Sequence, residues 1–247
     1  MTSTQFLIKR AGLRFPFAFL DGDEHFHLSR VLRVRPGRKI WLLDEQGVRY
    51  RAEVQEVEEE RTKVLILERE KPEEQKIHLT LAQALLKSKK MDLVVQKSTE
   101  LGVASLIPVQ AARSVVRLKE EQKRVARWKR IASEAAKQSR RSSIPIIFPP
   151  QLYLSFLGHF DAAKKLILSE RAGRLLREIL VGSSPGTGQG DMPTVIILVG
   201  PEGGWTPEEE SQARSRGFEP VSLGKQVLRS ETAALAALSL IAHFWNT

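Results

Sequence analysis

Beyond residue 76, β-rich runs alternate with segments of helical periodicity. This alternation predicts an α/β domain in which crossover helices join the strands of a parallel sheet. The predicted strands are Ile77–Leu81, Ser105–Val109, Pro145–Phe148, Leu166–Leu168, Thr194–Val199 and Glu219–Leu223. The predicted helices are Lys89–Leu101, Lys119–Arg140, Ala172–Leu180, Pro207–Arg216 and Glu231–Trp245. Gly102 follows the first helix as a helix-ending glycine, and Gly182–Pro193 is predicted to be a flexible loop.

The first seventy or so residues have a different pattern, with short β-rich runs and turn residues between them. Lys39–Asp44, Val48–Val57 and Thr62–Glu68 are predicted strands, and the turn residues 45–47 separate the first two. We therefore expect a small β-barrel or sheet. The polar segment 68–76, which a proline interrupts, is typical of a linker. We accordingly divide the chain into domains of residues 1–72 and 73–247.

The positive charge of the chain is concentrated in one segment. The formal net charge is +10, from 39 Lys and Arg residues against 29 Asp and Glu residues. Residues 76–145 alone contain 16 basic and 5 acidic side chains, whereas residues 146–247 contain 9 basic and 10 acidic ones. This concentration favours a face that binds a polyanion such as nucleic acid. A generally basic, solvated surface is the alternative.

Composition excludes several kinds of chemistry. The chain has no cysteine, which rules out disulfides, thiolate metal sites and a cysteine nucleophile. Its five histidines lack metal-ligand spacing beyond the weak pair His25 and His27, so no metal site is predicted. The N-terminus lacks the apolar core of a secretory signal. The 16 residues from Thr232 onward carry no Asp, Glu, Lys or Arg, but a membrane span needs about 20 apolar residues. We expect a cytoplasmic protein.

Residues 198–210, with the sequence LVGPEGGWTPEEE, combine a strand end, a glycine-rich loop and a helix start. Thr206, Pro207 and Glu209 fit the N-cap, first and third positions of a helix with a capping box. Glycines allow the backbone to approach a ligand closely. The glutamates at 208–210 already occupy the positive helix terminus, so the loop favours a neutral or cationic ligand over a phosphate. A structural tight turn is the alternative.

A second loop, residues 223–233 with the sequence LGKQVLRSETA, follows the last predicted strand. Ligands of open parallel sheets bind beyond the carboxyl ends of the strands, so we expect the two loops to lie side by side. Arg229 and Glu231 place a cation and a carboxylate next to an apolar helix, which favours a functional role. A salt bridge that caps the helix is the alternative.

The last predicted helix is apolar on two sides. One stripe contains Leu235, Leu238, Ala242 and Trp245, and the second contains Ala234, Ala237, Ile241 and Phe244. One face fits the core of the domain. The other fits either a subunit interface or a fully internal position.

The sequence GPEGGW followed by LGKQVLRSETAAL resembles the C-terminal signature of SPOUT-class methyltransferases, which bind S-adenosylmethionine in a deep trefoil knot. The stretches QKSTELGV (96–103), RSVV (113–116), RWKRIASEAAKQS (127–139) and HLSRVLR (27–33) narrow the resemblance to the RsmE family. Members of that family methylate N3 of a uridine near the 3′ end of 16S rRNA, position 1498 in the usual rRNA numbering.

The resemblance implies an N-terminal PUA-like β-barrel, a SPOUT domain with the knot, a homodimer and methylation of the assembled 30S subunit. It implies that S-adenosyl-L-methionine is bound by Ser169, Glu170, Val199, Gly200, Pro201, Glu202, Gly203, Leu223, Gly224, Val227, Leu228 and Thr232. For this reaction, Arg229 is predicted to stabilise negative charge on the uracil. Glu231 is predicted to accept the N3 proton, to orient Arg229 or to cap the helix.

RNA binding is predicted for the basic segment and for a second group of arginines in the barrel. These residues are Lys87, Lys89, Lys90, Lys97, Arg113, Arg117, Arg140 and Arg141, with Arg30, Arg33 and Arg35. Contacts to phosphate position the RNA without reading its sequence. The family pattern has a glycine where this chain has Arg140, which puts the local turn geometry in question. The predicted loop 182–193 is a second departure.

Three other functions stay open on the sequence alone. Another SPOUT reaction, such as ribose methylation of tRNA, shares the knot loops, but the stretches TELGV and RWKRIASEAAKQS argue against it. A non-catalytic RNA-binding assembly factor would have the basic surface without a cofactor pocket. A small-molecule enzyme that binds a nucleotide phosphate at the glycine loop is disfavoured by the three glutamates.

Overall fold

The computed structural model describes residues 5–70, 75–116, 121–171, 174–184 and 192–246. The chain divides into two units, one of residues 1–74 with 136–144 and one of residues 75–135 with 145–247. Within the described ranges, no helix is long and apolar enough to cross a membrane.

A six-stranded sheet with strand order β1-β4-β5-β6-β3-β2 forms most of the first unit. Its strands are β1 Gln5–Ile8, β2 Leu13–Arg14, β3 Phe17–Asp21, β4 Lys39–Asp44, β5 Arg49–Val57 and β6 Arg61–Glu70. Strands β1 and β4 are parallel, and the other neighbours are antiparallel. Along β5, the buried residues Tyr50, Ala52 and Val54 alternate with more exposed charged ones, as expected for a sheet with one face on a core. The predicted N-terminal β domain is confirmed.

The HLSRVLR stretch lies outside the sheet of this unit. Helix α1, Gly22–Phe26, continues directly into a π-helical turn, His27–Val31. Buried His25 lies 3.0 Å from the carbonyl oxygen of Glu59 through Nε2 and 2.8 Å from Thr62 Oγ1 through Nδ1. Because a carbonyl only accepts, Nε2 donates and Nδ1 accepts from Thr62. Arg33 follows with a left-handed φ of 49°.

The second unit contains a seven-stranded sheet in which every pair is parallel. Its strands are β7 His78–Ala84, β8 Ser105–Gln110, β9 Ile146–Ile147, β10 Gln151–Leu152, β11 Lys164–Leu168, β12 Thr194–Val199 and β13 Glu219–Val221. The order is β10-β8-β7-β12-β11-β13, and β9 also pairs with β8. The predicted α/β class with a parallel sheet is confirmed.

Helices cover both faces of this sheet. They are α2 Ser88–Glu100, α3 Glu121–Gln138, α4 Tyr153–His159, α5 Leu176–Gly182, α6 Pro207–Ser215 and α7 Ser230–Trp245. Along β12, Val195, Ile197 and Val199 belong to one buried cluster, whereas Ile196 and Leu198 belong to the other. Burial on both faces explains why this strand is continuously apolar. Helix α4, Tyr153–His159, was not predicted.

Arg140 occupies a position in the turn after α3 that suits glycine. Its φ is 58°, and its amide donates to the carbonyl of Lys137 while the amide of Arg141 donates to that of Ala136. These bonds form a Schellman motif, in which the residue with left-handed backbone is usually glycine. The turn geometry that the family's glycine implies is therefore retained with an arginine.

The predicted loop 182–193 lies mostly outside the described residues, as do residues 71–74 of the predicted linker. Gly102 has a φ of 94°, which confirms its position as a helix-ending glycine.

Candidate cofactor and active site

The two predicted loops follow strands on either side of β11. The glycine-rich loop follows β12 and the second loop follows β13, and β11 pairs with both strands. The strands are therefore not adjacent, but residues of both loops line the same cavity and Ser230 of the second loop bonds to Gly200 of the first. The expectation that the two loops lie side by side is confirmed. The carboxyl end of β11 brings Ser169 and Glu170 between the loops.

These three strand ends enclose a cavity of about 430 Å³. All the predicted cofactor-binding residues line it except Thr232, which is exposed on α7. Arg229 also lines the cavity. Residues that line the cavity but were not predicted to bind the cofactor include Arg113, Leu168, Trp205, Glu210, Ser222 and Ser230.

Close packing at Gly200 and Gly203 shows why the first loop needs glycine. A Cβ at Gly200 would lie 3.1 Å from the Trp205 ring, and one at Gly203 would lie 3.3 Å from the Arg113 side chain. Trp205 is fixed in turn, since its Nε1 donates to the carbonyl of Leu168 at 3.0 Å. The loop backbone therefore has no room to shift toward these side chains.

The start of α6 has the predicted capping box. The amide of Glu209 donates to Thr206 Oγ1 at 3.2 Å, and the amide of Thr206 donates to Glu209 Oε2 at 3.0 Å. The other carboxylate oxygen of Glu209 accepts from the amide of Ala112 at 2.8 Å. Since protein groups already satisfy this helix terminus, the structure supports the argument against a bound phosphate.

Arg113, which was predicted to bind RNA, donates to the glycine-rich loop. One guanidinium nitrogen lies 2.8 Å from the carbonyl oxygen of Gly203 and 3.3 Å from that of Trp205. The side chain comes from the turn after β8 and lines the cavity. It therefore fixes the loop from a segment far away in sequence.

A second set of hydrogen bonds joins the loop to the last helix. Gln83, at the carboxyl end of β7, donates through Nε2 to Ser230 Oγ at 2.9 Å. Ser230 Oγ donates to the carbonyl oxygen of Gly200 at 2.5 Å. All three residues lie where the central strands end. The start of the loop is thus held by the first residue of α7.

Lys90, also predicted to bind RNA, is paired with two carboxylates. Its Nζ lies 3.0 Å from Glu202 Oε1 and 3.4 Å from Glu231 Oε2. The hydrogen bond with Glu202 raises the pKa of Lys90. Partial burial opposes ionisation of Glu202, but backbone and Lys90 hydrogen bonds outweigh it and lower the pKa of Glu202.

Arg229 and Glu231 differ in their surroundings. Arg229 is exposed at the cavity and has extended backbone as the N-cap of α7. Within the described part of the chain, it has no carboxylate within salt-bridge distance. Glu231 is buried, does not line the cavity and pairs with Lys90. Glu231 therefore forms its salt bridge with Lys90 of α2 and not with Arg229.

The other predicted RNA-binding residues fall into two groups. Exposed ones are Lys87 and Lys89 in the second unit and Arg30, Arg33, Arg35 and Arg140 in the first. Lys97 instead pairs with Glu100 at 2.8 Å, and Arg141 is half-buried, where burial lowers its pKa to about 10. Arg117 lies outside the described residues. Among those described, no group of three His, Asp or Glu side chains is placed to hold a metal ion.

Two family models match the chain. The one described as RNA methyltransferase domain matches residues 73–242, and the one described as RNA methyltransferase PUA domain matches residues 20–67. Together with the parallel sheet and the cavity at its strand ends, these matches define the class as an RNA methyltransferase with an N-terminal PUA domain.

Relatives narrow the class to one family. Ribosomal RNA small subunit methyltransferase E of Bacillus subtilis is 32% identical over 92% of this chain and 90% of its own length. The solved structure of that enzyme from Neisseria gonorrhoeae, bound to S-adenosyl methionine, is 34% identical with a TM-score of 0.85, covering 99% of this chain and 98% of its own. A Legionella pneumophila methyltransferase with bound SAM is 28% identical with a TM-score of 0.87 over 100% of both chains. The chain belongs to the ribosomal RNA small subunit methyltransferase E (RsmE) family.

Proposed function

We propose that the protein transfers a methyl group from S-adenosyl-L-methionine to N3 of one uridine in 16S rRNA, on the assembled 30S subunit in the cytoplasm. The observation that carries the proposal is the cavity that the two loops and the end of β11 form at the strand ends. Relatives named ribosomal RNA small subunit methyltransferase E, and a solved one bound to S-adenosyl methionine, support the same activity.

The residues at the cavity fit this cofactor. A volume of about 430 Å³ lies within the range of about 300–1,000 Å³ that is usual for small-molecule sites. Backbone of residues 200–203 and 223–228 would hold the cofactor, and Ser169 and Glu170 would complete the pocket. When bound, S-adenosylmethionine would supply a methyl group on a sulfonium, whose sulfur leaves as a neutral thioether.

The chain must then make N3 of the uracil nucleophilic. N3 carries a proton on the Watson–Crick edge, so the base must be unpaired before it loses that proton. Arg229, exposed at the cavity, stabilises the negative charge that develops on the ring. Glu231 lies behind the lining, so it accepts the proton through water or orients Arg229.

Exposed cations hold the RNA by its phosphates. Lys87 is the N-cap of α2, Lys89 is the second residue of that helix, and both are exposed. Replacing both with glutamine should lower the salt dependence of 30S binding by about one to two in log–log slope, because each phosphate contact contributes about 0.7–0.9. Affinity for the cofactor should not change. A changed cofactor affinity would show that these lysines belong to the cofactor site.

Helix α7 is the proposed dimer contact. Of the second predicted apolar stripe, Ala234, Ala237 and Ile241 are fully buried in the core of the second unit, whereas Phe244 is 43% exposed. An exposed aromatic beside a buried stripe fits a two-fold interface. Sedimentation equilibrium tests this: Phe244→Glu should give monomers where the unaltered protein gives dimers.

The function is tested by transfer of labelled methyl to 30S subunits that lack the modification, with mass spectrometry of the product nucleoside. We expect 3-methyluridine at a single position. Arg229→Ala should lower kcat by about 10²- to 10³-fold, the usual cost of losing one donor that stabilises an anion. Methyl at another atom would contradict the reaction, and wild-type rates for both Arg229→Ala and Glu231→Ala would contradict the assigned roles.

A further inference from the structure

Lys90 joins three separate elements through one ammonium group. It lies in the first turn of α2, and its partners are Glu202 in the loop after β12 and Glu231 in the first turn of α7. Lys90 therefore connects the wall of the cavity to the carboxylate that follows Arg229.

Glu231 depends on this cation more than Glu202 does. The side chain of Glu231 is 12% exposed, against 30% for Glu202. Its Oε2 atom is fully buried and has Lys90 at 3.4 Å without a hydrogen bond to any described residue. A buried carboxylate without a counter-charge is costly, and two carboxylates that face each other repel. Loss of the Lys90 ammonium would leave Glu231 buried without a counter-charge and would leave the two carboxylates to repel each other.

We propose that Lys90 is a positioning residue for methyl transfer and not a contact to RNA phosphate. Its ammonium holds the glycine-rich loop through Glu202 and holds Glu231 in place next to Arg229. The inference rests on the proposed function, because it assigns a role in the same site. Two carboxylates already occupy the ammonium group, which leaves little of its charge to attract a phosphate.

Lys164 provides a matched control. Its Nζ lies 2.7 Å from Glu219, and its side chain is 24% exposed, close to the 31% of Lys90. It begins β11, at the opposite end of that strand from the cavity. Lys164→Met therefore removes an ion pair of similar burial without touching the site.

The experiment measures S-adenosylmethionine affinity by calorimetry on the full-length protein, and kcat with saturating cofactor and 30S subunits. We expect Lys90→Met to weaken cofactor binding by about tenfold and to lower kcat by up to about 100-fold, since a displaced catalytic group has this effect. The KM for 30S subunits should stay within twofold. Lys164→Met should leave all three quantities at wild-type values.

Two further variants separate positioning from simple stability. Lys90→Arg should restore most of the cofactor affinity, because a guanidinium can bridge two carboxylates. Adding Glu202→Gln to Lys90→Met should also recover part of the lost cofactor affinity, because it removes the repulsion between Glu202 and Glu231. The effects of the two substitutions should therefore be non-additive.

The proposal is overturned if Lys90→Met matches Lys164→Met in cofactor affinity, or if it changes only the KM for 30S subunits. If the wild-type protein binds the cofactor but methylates no 30S subunit, the proposed function fails. The cofactor affinities of the four variants still decide the role of Lys90 in that case.

Discussion

The hydroxyl of Ser230 donates to the carbonyl oxygen of Gly200 at 2.5 Å, which joins the first residue of α7 to the first residue of the glycine-rich loop. Ser230→Ala leaves the carbonyl of Gly200 without this donor and removes one of the two acceptors of Gln83 Nε2. Unpaired buried polar groups cost about 1–3 kcal/mol, so cofactor affinity should fall by about tenfold in calorimetry. Ser239→Ala, at an exposed position of the same helix, is the control and should have no effect.

A side chain at Gly200 would press against the ring of Trp205. A Cβ there would lie 3.1–3.4 Å from three atoms of the Trp205 ring, which is itself buried. Overpacking of this kind costs about 1–3 kcal/mol. We expect Gly200→Ala to lower the melting temperature and abolish measurable cofactor binding.

Gly182→Ala is the matched control for Gly200→Ala. A Cβ at Gly182 would meet no atom within 4 Å. Its melting temperature should be equal to or slightly above that of the wild type, because alanine has less freedom in the unfolded chain. Its cofactor affinity should equal that of the wild type. Equal effects of the two substitutions would mean that the ring of Trp205 can move out of the way.

We expect Arg113 to affect cofactor binding, although it belongs to the basic segment that was predicted to bind RNA. Arg113→Lys keeps the charge but loses the planar group that reaches both Gly203 and Trp205. We expect cofactor affinity to fall several-fold, by about the 1 kcal/mol of one hydrogen bond. Arg130→Lys, exposed on α3, should change nothing. Unchanged affinity in Arg113→Lys would return this residue to the predicted RNA contacts.

Arg140→Gly should stabilise the protein. A left-handed backbone costs a residue with a Cβ about 1–2 kcal/mol, and glycine removes this cost. Part of the resulting gain in stability is offset, because glycine has more freedom in the unfolded chain. We expect an increase of about 0.5–1 kcal/mol in the free energy of unfolding, measured in urea. Arg140→Ala keeps the strained φ of 58° and removes only the charge, so it should not stabilise. If Arg140→Gly and Arg140→Ala were both more stable than the wild type, the stabilisation would come from removal of the positive charge.

Local patterns predicted most of the sheet. β4 and β12 have the predicted limits, Lys39–Asp44 and Thr194–Val199, and α7 begins one residue early. Each of these elements carries a long, regular pattern of its own. The strands β2 and β10 were not predicted, because each has two residues, too few to show a period.

The polar contacts that connect distant segments at the site were not predictable from local patterns. Lys90 and Glu202 are 112 residues apart, and Arg113 and Gly203 are 90 apart. The sequence of a basic segment does not distinguish a side chain that faces solvent from one that pairs with a carboxylate on a distant loop. Sequence resemblance located the two loops, and the order of the strands then showed that β11 lies between the strands that precede them. The trefoil knot and the residue roles stay predictions.

Residues 136–144 belong to the first unit, although residues 75–135 of the second unit precede them in the sequence. Gln5 Nε2 donates to the carbonyl of Arg141 at 3.3 Å, and Glu24 pairs with Lys137. During synthesis, domains form as their chain emerges from the ribosome. When residue 74 has emerged, Gln5 and Glu24 still lack these partners, so a fragment that ends there is an incomplete folding unit. The part of this protein that is made first is therefore finished only after β7, α2, β8 and α3 have been synthesised.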